Sequence, residues 1–201
     1  MMGKTTDSTC RLCHQYPETV EHILADCPRL AQRQYLWLHN DALKQVLSVI
    51  LLKHGLKEKH LQPYQPSNYY YNKNIEIMCD CTITTSSRLP KEGNRPDICI
   101  ISIAEKKIDL LEMACPSWRN RAATEEIKTN KYKSVRKELK DRHPDYKIQQ
   151  TNKVVDVLGG FDKKLKGKLA VLIGKAEAKR VLLAMQKTVW LHAIRIMNIV
   201  L

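Results

Sequence analysis

The sequence predicts an α/β fold: a small mixed sheet flanked by helices, with a cysteine–histidine module at the N-terminal end. Three observations predict it. Apolar residues alternate with polar ones at Ile75, Ile77, Cys79, Cys81 and Ile83, and two apolar runs follow at 98–104 and 108–114. Residues 120–142 are rich in Ala, Glu, Lys and Arg and free of Gly and Pro, so they read as a helix between strand-like segments. Three of the seven cysteines fall within the first 29 residues.

Residues 1–29 are loop-like and form the cysteine module. Residues 30–62 are a helical connector and linker. Leu30, Leu38, Ala42, Val46 and Ile50 recur near helical spacing, and Gly55 stands where a C-terminal cap belongs. Over 57–74, Pro63 and Pro66 interrupt a sequence without periodicity, which reads as linker. Residues 63–160 hold the sheet. A turn cluster at 89–96 precedes the two apolar runs, and their separation by Glu105-Lys106-Lys107 predicts a β-hairpin. Residues 146–158 read as a further strand closed by Gly159-Gly160. Residues 161–201 form a basic amphipathic helical region.

Lys and Arg number 34 and Asp and Glu 21 in 201 residues, a net charge of +13. That excess predicts a polyanionic partner, most often nucleic acid and less often an anionic membrane surface. The longest apolar run, 46–52, is broken by Ser48 and is too short to span a bilayer. The first ten residues are polar and make no secretory core, so a nuclear or cytoplasmic location with reduced thiols is expected. An odd number of cysteines then favours metal ligation over disulfides.

Cys10, Cys13, His22 and Cys27 form C-x2-C-x8-H-x4-C. The first spacing lets a tight turn present two thiolates to one ion, and three thiolates with one imidazole suit a closed, structural Zn²⁺ site. His14 competes with Cys13 as a ligand at this stage. A module this short cannot hold itself by core burial, so the metal would contribute folding energy directly.

Asp97 opens the first hairpin strand and Glu112 lies in the second. Strand periodicity places Glu112 on the face of Ile108, Leu110 and Ala114, with Asp109 opposite. A carboxylate in an apolar strand is costly unless it is paired or binds a cation. Asp97 and Glu112 can converge on one Mg²⁺ or Mn²⁺, whose hard-ligand preference they match. In the next helix Glu125, Lys128 and Tyr132 share a face, and that face would add Lys128 to the carboxylates. The bland alternative is a solvated helix face and an exposed strand glutamate.

Three segments, CRLCHQYPETVEHILADCP, RPDICIISIAEKKIDLLEMACPSWRN and EEIKTNKYKSVRKELK, carry a resemblance. Together, in that order, they resemble the C-terminal region of non-LTR retrotransposon polyproteins of the lineage with a restriction-like endonuclease. In that family a reverse transcriptase domain is followed by a cysteine–histidine knuckle and a nuclease of the PD-(D/E)-x-K type. The resemblance implies that Asp97 and Glu112 hold Mg²⁺ or Mn²⁺, and that Lys128 is a displaced catalytic lysine. Lys131 and Tyr132 match the family's Lys-Tyr pair, with Glu125 auxiliary. Cys10, Cys13, His22 and Cys27 match the zinc ligands. The implied partners are DNA, RNA of the parent element and a separate reverse transcriptase. Ala114 occupies the usual lysine position of the E-x-K triplet, Glu112 stands where these elements usually have Asp, and Cys79 stands where an aromatic is expected. No polymerase is expected in these residues, and the chain reads as a detached tail of an element: truncated, decaying or domesticated. The implied function is a nuclease that nicks DNA to prime reverse transcription. The alternative is an inactive nucleic-acid-binding protein of the same origin.

The remaining features divide between structure and function. Cys79, Cys81, Cys99 and Cys115 read as buried free thiols rather than a second metal site. Tyr69-Tyr70-Tyr71 beside Lys73 could stack on unpaired bases or pack as linker. Trp37 and Trp190 read as core, and Trp118 as near the nuclease site. The basic C-terminal region reads as core packing with phosphate contact on the side of Lys163 and Lys168, against a membrane-surface helix.

Overall fold

A computed structural model describes residues 8–56, 68–84 and 94–200. Residues 57–67 of the expected linker and most of the turn cluster lie outside the described residues. The sheet has five strands in the order β1 (Tyr69–Asn72), β2 (Ile75–Cys79), β3 (Ile98–Ser102), β4 (Lys107–Ala114) and β5 (Lys147–Val154). The first four pair antiparallel, and β5 pairs parallel to β4. The crossover that parallel pairing requires is carried by α3 (Arg121–Lys131) and α4 (Lys133–Arg142).

Strand alternation divides the core between the two faces. Ile75, Ile77, Ile98, Ile100, Leu111 and Met113 bury one face. Against it pack α2 (Leu36–Lys53), α5 (Lys163–Ile173) and α6 (Lys175–Val200). Cys99, Ile108 and Leu110 bury the other face with Tyr132, Val135 and Leu139 of the crossover. The hairpin, the β5 segment and the helix of the connector lie where the sequence puts them. Helical turns run from Pro28 into α2, and Gly55 adopts φ +67° beyond its end. No helix among the described residues is long and apolar enough to cross a membrane.

Three expectations need correction. The helix expected over 120–142 breaks at Tyr132, which takes φ −100° and ψ 12° and is fully buried between α3 and α4. Anchoring that ring re-aims the chain, so α3 and α4 present separate faces to the sheet. Tyr69–Asn72 is a strand rather than linker, with Tyr70 buried and Tyr69 and Tyr71 exposed on the opposite face. The C-terminal helical region consists of two helices, parted by Gly174 at φ +91°, which side chains rarely adopt. Trp37 and Trp190 are 47% and 52% exposed, not core. Trp37 instead lies under the Arg33 guanidinium at 4.8 Å, and the Trp190 indole N–H donates to the Leu158 carbonyl at 2.6 Å. That bond needs the turn at Gly159: at φ +83° a Cβ there would stand 2.7 Å from the indole nitrogen.

Candidate functional site

The N-terminal cluster is built by a turn and a short helix. The Cys10 N–H donates to the Tyr16 carbonyl at 2.7 Å, the His14 N–H donates to the Cys10 carbonyl at 2.8 Å, and Thr9 pairs with Pro17. This knuckle aims both thiols inward and leaves His14 exposed at φ 55°. The single wide turn α1 (His22–Asp26) begins at a backbone N–H bonded to Thr19 Oγ1 at 3.0 Å. The Tyr35 hydroxyl then fastens it, accepting from the Cys27 N–H at 3.0 Å and lying 2.8 Å from the Ile23 carbonyl. The ligand atoms of Cys10, Cys13, His22 and Cys27 all lie within 4.8 Å of one another. The competition between Cys13 and His14 is thus resolved for Cys13, whose sulfur is 3.3 Å from His22 Nε2.

Burial by itself would raise the Cys13 thiol. The N–H groups of Gln15 and Tyr16, with Cys10 and His22, outweigh it and bring the thiol down to about 6. A thiolate-favouring pocket of three sulfurs and one imidazole could bind a metal such as zinc, and the donor set leaves no open position. Cys79, Cys81, Cys99 and Cys115 make no comparable group among the described residues.

The second cluster follows from strand register. Ile98 pairs with Leu111, so one residue further Asp97 stands opposite Glu112. The Asp97 N–H lies 3.4 Å from Glu112 Oε2, and Asp97 Oδ2 accepts from the Met113 N–H at 2.5 Å. Glu112 is only 2% exposed. Lys128 Nζ donates to its Oε1 at 2.6 Å, and Lys131 Nζ lies 3.4 Å from the same oxygen. The Tyr132 hydroxyl lies 2.8 Å from both Oε2 and the Arg95 carbonyl. Two residues of β5 place these lysines. Gln150 Nε2 donates to the Lys128 carbonyl at 2.8 Å, and Asn152 Nδ2 donates to Thr129 Oγ1 at 2.7 Å. They clamp α3 over β4 with Lys128 above Glu112.

Asp97, Glu112, Lys128, Lys131 and Tyr132 therefore meet in one place. Glu125 does not join them: its carboxylate takes Lys168 of α5 at 2.6 Å. Trp118 packs half-buried against the helical side of the core.

Two members escaped sequence reasoning. His39 of α2 brings Nε2 to 3.2 Å from Asp97 Oδ2. Burial works against the charge of both partners, but their mutual attraction prevails. Asp97 is held below the ordinary carboxylate range, helped by the Met113 N–H and Lys128, and His39 is raised. Neither spacing nor periodicity links residues 58 apart in sequence. Lys153, beside Met113 in β5, is fully buried, and its Nζ has no hydrogen-bond partner. A lysine directly before the apolar pair Val154-Val155 was the available signal.

Burial brings Lys153 down to about 7, although Asp97, Glu112 and Asp109 pull it upward. The unfolded chain then binds more protons than the fold between that value and the ordinary lysine value of about 10.4. Stability therefore rises with pH across this window. Lys153→Met is expected to stabilise the protein by on the order of 4 kcal/mol near pH 7, at about 1.4 kcal/mol per unit of pKa. Denaturant melts of both proteins should show the advantage shrinking towards pH 10.

No protein-family model matches the chain, and comparison with curated proteins finds no match.

Proposed function

We propose that this protein is a metal-dependent DNA endonuclease with a restriction-like core and an N-terminal zinc knuckle. One observation carries the reading: Asp97, Glu112 and Lys128, distant in sequence, meet at one end of a hairpin with Tyr132 behind them. Paired carboxylates with an adjacent ammonium are the groups that phosphodiester hydrolysis requires.

The donor set fits a hard divalent cation. Both groups are carboxylates, and Asp97 Oδ1 has no hydrogen-bond partner among the described residues. Asp97 and Glu112 would hold Mg²⁺ or Mn²⁺, which supplies Lewis-acid polarisation of a phosphate and a lower pKa for a bound water. The protein's own groups do the rest. His39 and the Met113 N–H orient Asp97, Tyr132 orients Glu112, and Lys128 offers positive charge to a phosphate oxygen. With Ala114 at the usual lysine position, Lys128 supplies the ammonium from the neighbouring helix instead. The substrate reading rests on the +13 charge, and the retrotransposon resemblance gives the cut its role, a 3′ hydroxyl for a reverse transcriptase carried elsewhere.

Supercoiled plasmid with Mg²⁺ or Mn²⁺ tests this. Wild type is expected to produce nicked circles and Asp97→Ala to produce none. DNA binding that is salt-sensitive and indifferent to divalent cation, without nicking, would favour the inactive binding protein.

A further inference from the structure

A hollow of ≈ 500 Å³ opens between α5 and α6, lined by Lys163, Lys166, Lys175 and Lys179 with Gly167 and alanines. All four lysines are exposed, and no carboxylate lines the hollow. Among the described residues none of the four makes an ion pair or a hydrogen bond through its side chain. Lys168 of the same helix behaves differently, since it is bound to Glu125.

The sequence builds this arrangement deliberately close. Lys163 and Lys166 are three apart in α5, and Lys175 and Lys179 four apart in α6, so each pair shares a helix face. The Gly174 turn at φ +91° folds the two helices together and brings both pairs to one groove. The groove is open at Gly167, where a Cβ would meet nothing within 4 Å. Four ammonium groups around one hollow repel one another, and a polyanion relieves that repulsion.

We propose that this hollow holds the sugar–phosphate backbone of duplex DNA. The proposal rests on the DNA reading above and adds a surface that grips the substrate. Charge supports it, since four lysines and no carboxylate line the hollow. Shape supports it as well, because a concave groove receives a backbone ridge, whereas a flat lipid surface would reach only its edges. Each lysine that meets a phosphate releases a counterion, so the groove makes binding salt-dependent.

The test uses the full zinc-loaded chain and a labelled duplex, without Mg²⁺ or Mn²⁺. Affinity is measured against salt concentration for wild type and for a variant carrying Lys163→Gln, Lys166→Gln, Lys175→Gln and Lys179→Gln. The slope of log affinity against log salt should fall by about 3–4, at about 0.9 per phosphate contact, with at least a tenfold loss of affinity. A second variant, with Lys→Arg at the same four positions, should keep the wild-type slope. A third, with Lys73→Gln, Lys137→Gln, Lys140→Gln and Lys147→Gln, removes equal charge elsewhere and should change the slope less. Circular dichroism and melting temperature should match wild type in all three. An unchanged slope in the first variant overturns the proposal, as does an equal fall in the third. Loss of binding to phosphatidylserine vesicles with DNA binding intact also overturns it, in favour of a membrane surface. Plasmid nicking, measured in parallel, separates the two readings. A reduced slope without wild-type nicking leaves the groove standing and removes the nuclease. Nicking with an unchanged slope does the reverse.

Discussion

Stripping the ion from protein purified with one zinc per chain is expected to unfold residues 8–27. This segment has little apolar surface of its own, and its order depends on four donors converging within 4.8 Å. Structural zinc in such modules contributes roughly 10–16 kcal/mol, comparable to the whole stability of an ordinary domain. The loss should spread, because Ile23, Leu24 and Leu30 join the core that contains α2 and α6. Hydrogen exchange before and after chelation measures this directly. Protection should vanish over 8–35 and persist in β3, β4 and β5, whose pairing does not involve the module. Cys27→Ser should give the same pattern without chelator. Metal-free protein with unchanged protection would remove the zinc reading.

Lys128→Met is expected to reduce plasmid nicking by about 10²–10³-fold, the usual effect of removing one group that stabilises developing charge. It should also destabilise the fold, because Glu112 keeps its burial and loses its shortest partner. Breaking a buried pair costs about 3–5 kcal/mol, and the remaining contacts with Lys131 and Tyr132 hold the loss at or below that range. Lys131→Met should act more weakly in both respects, since its ammonium is 3.4 Å from Glu112 and its side chain 38% exposed. Single-turnover nicking well below each melting temperature separates lost chemistry from lost fold. Equal rates for Lys128→Met and wild type would remove Lys128 from the chemistry.

Local pattern carried the sheet and the knuckle. Alternation located β2 and two apolar runs located β3 and β4, and the two-residue period put Glu112 and Asp109 on opposite faces, where Asp109 pairs with Lys107 at 2.7 Å. It did so because each strand is hydrophobic on faces covered by different helices. Spacing alone collected Cys10, Cys13, His22 and Cys27, since a knuckle is a local structure. Tertiary contacts were not legible in the same way. His39 reaches Asp97 only because α2 folds back across the sheet, and Glu125 turns to Lys168 because α5 lies beside α3. The break at Tyr132 comes from a ring with both apolar body and hydroxyl satisfied in the core, which no helix propensity records. Trp37 and Trp190 show the converse, large apolar side chains that the helices leave at the surface.

The most direct measurement is the rate of plasmid nicking by zinc-loaded wild type and Asp97→Ala, with Mg²⁺, with Mn²⁺ and with neither cation added. DNA affinity of both proteins is measured alongside. The expected result is divalent-dependent nicking by wild type, none by Asp97→Ala, and comparable DNA binding by both. Equal nicking by the two proteins, or DNA binding without nicking in either cation, would contradict the assignment of Asp97, Glu112 and Lys128 as a nuclease site.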